Sequence, residues 1–79
     1  MKARVEVTLR REVLDPQGEA VRRALGTLGF EAKGVRVGKL IEIELGATDR
    51  AKAETELRAM CEKLLANPVI EDFRFEVVE

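Results

Sequence analysis

Histidine, serine, tyrosine and tryptophan do not occur in this sequence, and cysteine, asparagine and glutamine occur once each. Without imidazole there is no base poised near neutrality, no Ser–His or Cys–His nucleophile pair and no histidine metal ligand. A zinc site needs several thiolates or imidazoles, and Cys61 stands alone. The single thiol leaves no intrachain disulfide, which fits a reducing compartment. No apolar run approaches the roughly 20 residues that cross a bilayer. Met1-Lys2-Ala3-Arg4 runs into alternating residues rather than into a signal-peptide core. An excess of one charge is lacking too, with 14 Lys and Arg against 15 Asp and Glu. A nucleic-acid or membrane surface would need a basic excess. The expectation is a soluble, cytoplasmic chain with neither kind of partner.

The length, 79 residues, predicts one domain spanning 1–79. So short a chain buries only roughly 60% of its unfolded surface, which argues against a spacious internal active site. Charged residues make up 37% of it and amides are scarce, a pattern of heat-adapted proteins. Composition therefore points to a binding or assembly part rather than a self-sufficient enzyme.

Ala3, Val5, Val7 and Leu9 alternate with polar residues, the period of a half-buried strand. Asp15-Pro16 reads as an N-cap followed by a first helical residue, and Val21, Ala24, Leu25 and Leu28 form one helical stripe. Gly29 then stands at the position of a left-handed helix end, with Phe30 placed for the accompanying apolar contact. Val35 and Val37 predict a short strand, Gly38-Lys39 a tight turn, and Ile41, Ile43 and Leu45 a second arm of that hairpin. Thr48 or Asp49 caps a helix with the stripe Leu57, Met60, Cys61, Leu64 and Leu65, and Asn67-Pro68 stops it. Phe73, Phe75 and Val77 close the chain as a strand. The order β-α-β-β-α-β with right-handed crossovers predicts an α+β, ferredoxin-like sandwich: a four-stranded antiparallel sheet with two helices on one face. Many unrelated activities use that fold, so function has to come from sites.

The outward sheet face carries Arg4, Glu6, Thr8, Arg10, Glu42, Glu44, Arg74 and Glu76. It has no aromatic platform for bases and no phosphate-binding field, so it reads as a salt-bridged face in water or under a protein partner. Cys61 lies in an apolar stripe without an activating histidine and reads as a small core residue. In Asp15-Pro16-Gln17-Gly18 the glycine weakens a first helical turn by roughly 1 kcal/mol against alanine, which points to a close approach by backbone or ligand. Arg36 and Lys39 flank the expected hairpin tip, either simply solvated or anchoring a contact beside an edge strand. The candidate contact residues are Asp15, Gln17 and Gly18 at one place and Arg36 and Lys39 at another. None of them is expected to be catalytic.

Val5-Glu6-Val7-Thr8-Leu9, Val13-Leu14-Asp15-Pro16-Gln17-Gly18, Ala20-Val21 and Ala24-Leu25-Gly26-Thr27-Leu28-Gly29 together resemble the PurS family, the small subunits of phosphoribosylformylglycinamidine synthase. Val35-Arg36-Val37-Gly38-Lys39, the run Cys61–Glu71 and Phe75-Glu76-Val77 extend the resemblance along nearly the whole chain. It departs at Arg10-Arg11-Glu12, where relatives often carry a lysine and smaller residues. The resemblance implies a non-catalytic, usually dimeric adaptor in purine synthesis. Such an adaptor holds a large, PurL-like synthetase subunit and a PurQ-like glutaminase subunit together and aids ammonia transfer. On this reading the chain binds no cofactor or metal itself, and ATP, Mg and glutamine belong to the partners. Homodimerisation through sheet edges is expected, because so small a core gains from association. The competing reading is an ACT-like module that binds a small molecule between paired subunits. An acylphosphatase would need a Gly-rich phosphate loop with arginine after the first strand, and Arg10-Arg11 offers none.

Overall fold

The computed structural model describes residues 1–78. Strand β1 (Lys2–Leu9) leads to helix α1 (Pro16–Thr27), strand β2 (Gly38–Glu44), helix α2 (Arg50–Met60) and strand β3 (Glu71–Val78). A widened turn, Cys61–Leu65, continues α2. β1 is the middle strand of an antiparallel sheet ordered β2-β1-β3. Its register sets Ala3 and Val5 opposite Ile43 and Ile41 on one side, and opposite Val77 and Phe75 on the other. Paired residues share a face, so the alternation in all three strands gathers one apolar surface. Ala53, Leu57 and Cys61 of the second helical segment close over it, and each is fully buried with Ala3 and Val5. Burying a side chain such as Leu57 contributes about 1.5–3 kcal/mol.

Helix ends follow their local chemistry. Asp15 caps α1 through Gly18 N–H, and Asp49 caps α2 through Ala51 N–H. After α1, Phe30 N–H donates to Leu25 C=O and Gly29 N–H to Gly26 C=O, with Gly29 at φ 92°, the left-handed ending its sequence predicts. Phe30 itself stays 63% exposed.

The fold differs from expectation at three places. The sheet has three strands, because Val35 and Val37 form none. Gly38 and Lys39 make no turn: both belong to β2, opposite Thr8 and Val7. The physical reason is register. A two-residue turn there would pair Val37 with Leu40 and put both valines on the charged face with Glu42; running straight on keeps them in phase with Ile41 and Ile43. Second, among the described residues α2 packs against β3, while α1 makes no extended contact with the sheet. Third, the second helix widens after Met60, where Ala66 N–H donates to Cys61 C=O five residues back. The wider turn rotates Leu64 out to 83% exposure and brings Ala66 inside.

Candidate functional site

The five candidate residues converge on one end of the sheet, where α1 begins beside the segment entering β2. Asp15 is the hub, 5% exposed despite its charge. One carboxylate oxygen accepts from Gly18 N–H at 3.0 Å and the other from Val37 N–H at 2.7 Å. The Val37 bond, then the Gly18 bond, outweigh the cost of burial, and with the positive field of Arg36 they hold the Asp15 pKa below its ordinary 3.8. Gly18 is required where it stands: a Cβ there would meet the Val35 carbonyl oxygen at 2.2 Å. The close approach expected at this glycine is thus made by the chain's own backbone.

Arg36 points the opposite way and ties down the loop after β1. Its guanidinium donates to the carbonyls of Arg10 at 2.7 Å, Val13 at 3.1 Å and Leu9 at 3.4 Å. The two motifs expected as separate contacts are therefore stapled together, one through Asp15 and the other through Arg36. Gln17 and Lys39 remain on the rim. With Val7, Leu9, Val37, Gly38 and Glu71 they line an open cleft of about 200 Å³. Lys39 Nζ lies 3.9 Å from Glu71 Oε2, and Glu71 Oε1 also accepts from Asn67 N–H at 2.7 Å.

Glu71 escaped the sequence reading as a contact residue, and Arg10 was read only as part of the outward sheet face. Glu71 occupies the inward phase of Phe73, Phe75 and Val77, so carrying that alternation one step back would have flagged an inward acid facing Lys39. Arg10 donates to Pro68 C=O at 2.6 Å and lies 3.5 Å from Asp72, fastening the end of β1 to the start of β3. Nothing in its local sequence shows that. On the first turn of α1, Glu19 forms an ion pair with Arg22 that lowers the carboxyl pKa and raises that of the guanidinium.

The arrangement organises a surface. Asp15 and Arg36 are committed to main-chain partners, which leaves neither aimed at a reacting atom. Cys61 is buried, and that burial pushes its thiol pKa up, away from the thiolate a nucleophile needs. On the outer sheet face Arg74 meets Glu6 at 3.3 Å across the strands. No helix of the described residues is long and apolar enough to cross a membrane.

Comparison with known proteins gives a consistent picture. Residues 2–79 match the family model described as PurS, phosphoribosylformylglycinamidine (FGAM) synthase. The PurS subunit of Bacillus subtilis is 48% identical over 79 residues, covering 99% of this chain and 93% of that one. The subunit from Synechocystis is 51% identical over 75 residues, covering 94% and 75% respectively. Among solved structures, a C2 crystal form of B. subtilis PurS superposes with a TM-score of 0.87 at 48% identity, over 99% of this chain and 98% of that one. A chain of the Thermotoga maritima PurLQS structure does so with a TM-score of 0.89 at 36% identity, over 98% and 95%. These superpositions span nearly the whole chain, and so take in α1 as well as the sheet.

Proposed function

Because the chain belongs to the PurS family of phosphoribosylformylglycinamidine synthase subunits, we propose that it is the small adaptor of that synthase in purine biosynthesis. It joins an ATP-using, PurL-like synthetase subunit to a PurQ-like glutaminase subunit. The observation that carries this is the match along residues 2–79, reinforced by likeness to a chain of a PurLQS structure. The geometry supports a non-catalytic role. The conspicuous polar residues Asp15 and Arg36 hold the protein's own backbone, and what they leave outward is a shaped rim with Gln17 and Lys39 upon it. ATP, Mg²⁺ and glutamine are bound by the partners, in the cytoplasm where purines are made, and this chain aids the passage of ammonia between them.

Reconstitution tests the proposal. With purified synthetase and glutaminase subunits, glutamine-dependent amidine formation should rise at least tenfold when this chain is added. Equal rates with and without it would overturn the adaptor role.

A further inference from the structure

Of the three aspartates in the chain, Asp15 alone precedes a proline. That pairing makes the peptide bond between them chemically weak. The nitrogen of a proline peptide is a better proton acceptor than that of an ordinary amide, so it departs more readily as an amine. The neighbouring carboxylate supplies a nucleophile. One side-chain oxygen attacks the backbone carbonyl carbon of its own residue, and a cyclic anhydride closes as the bond to the proline nitrogen breaks. The electron pair of that bond stays on nitrogen, which takes a proton from solvent. Water then opens the anhydride, so the net reaction is hydrolysis after residue 15.

The fold restrains each part of this reaction. One Asp15 oxygen accepts from Gly18 N–H at 3.0 Å and the other from Val37 N–H at 2.7 Å, so attack by either gives up a charge-assisted bond. The carbonyl under attack accepts from Glu19 N–H at 3.0 Å. Pro16 is the first residue of α1, and its nitrogen cannot leave without unwinding that turn. Asp15 is buried, which limits the access of water. The Gly18 and Glu19 bonds belong to the first turn of α1, whereas the Val37 bond reaches across from the segment entering β2. A cut here would free residues 1–15, which contain β1, the middle strand of the sheet. Its pairing with both neighbours would then depend on the association of two pieces.

We propose that Asp15–Pro16 is a self-scission site and that the Val37 N–H is its guard. Opening of that bond is a local event, smaller than global unfolding. It lets the carboxylate turn toward its own carbonyl and admits water. The frequency of that opening sets the rate at which the chain is irreversibly lost in warmth or mild acid. The inference stands on the geometry of this joint and does not depend on the adaptor role.

Intact-mass spectrometry of the full chain, incubated in warm, mildly acidic buffer, tests this. In urea the wild type should be cut into residues 1–15 and 16–79. The folded wild type should be cut at least tenfold more slowly. Val37→Pro deletes the guarding N–H and should be cut at least fivefold faster than the folded wild type, with its far-ultraviolet circular dichroism retained. Asp15→Asn removes the nucleophile and Pro16→Ala the weak bond, and in urea both should be cut at least tenfold more slowly than the wild type. If Val37→Pro unfolds, amide hydrogen exchange in the wild type decides. On warming below the melting temperature, scission should rise in step with exchange at Val37 and not with exchange at Val5 in β1. Equal rates for folded and urea-treated wild type would overturn the proposal. So would a folded Val37→Pro that is cut no faster, scission that follows Val5, rapid scission of either control, or a first cut elsewhere in the chain.

Discussion

Asp15 illustrates how much one side chain can organise when both of its oxygens accept from the main chain. Its lowered pKa means that the folded state holds the carboxylate more tightly than the unfolded chain does. The stability this contributes is present above the ordinary carboxylate pKa and is lost as the pH falls below about 4 through the folded value. In Asp15→Asn one amide N–H must face a backbone N–H, so one bond is exchanged for a repulsive contact. Urea unfolding followed against pH should show the variant less stable than wild type at pH 7, with the difference shrinking toward pH 3. Gly18→Ala is expected to lose more than about 2 kcal/mol in the same assay, because its partner at 2.2 Å is a carbonyl rather than a movable side chain. The sequence marked Gly18 as misplaced in a helical turn. The cause, Val35, lies far along the chain, and no local pattern shows it.

At the scale of elements, periodicity located β1, β3, both helix starts and the ending of α1, since each is decided by residues within one or two turns. It failed where a decision was not local. The stripe Leu57–Leu65 assumes constant helical pitch, and the widened turn breaks the phase between Cys61 and Leu65. Leu57→Ala should therefore cost about 2–5 kcal/mol, by the cavity it leaves in a fully closed site. Leu64→Ala, on the same expected stripe, should stay within about 0.5 kcal/mol in thermal or urea unfolding. The hairpin was misread because Gly-Lys permits a turn without requiring one. Counting which face Val35 and Val37 would take after two turn residues reverses that reading.

For the molecule as a whole, composition already excluded histidine-, serine- and multi-cysteine-based chemistry, and the structure shows where the remaining polar groups go. All five candidate residues were legible as special. Their union into one cluster was not, and they read as two separate contacts, because the stapling bonds span more than 20 positions. Of the five, Gln17 and Lys39 line the open cleft, and on the proposed adaptor role they are the ones that would meet other proteins. Gln17→Ala combined with Lys39→Ala should weaken assembly with the synthetase and glutaminase subunits at least fivefold in a surface-binding assay, while its unfolding midpoint stays near wild type. Unchanged assembly would remove the cleft from the interface. The elongated outline, 48 × 26 × 14 Å, was out of reach of the sequence, since intrachain patterning assumes that each apolar stripe is buried by its own chain, and Leu28 of the α1 stripe is 70% exposed.

The partners of Asp15 and Arg36 beyond the first turn of α1 are all peptide groups, at Leu9, Arg10, Val13 and Val37. A peptide group is the same whatever side chain it carries. The joint is thus indifferent to the identity of four of the residues it grips, and mutational sensitivity concentrates in the two that do the gripping. In a saturation library those four positions should accept many replacements with respect to this joint, with one sharp exception. Proline at position 37 deletes the N–H itself, and should be as damaging there as the loss of Asp15.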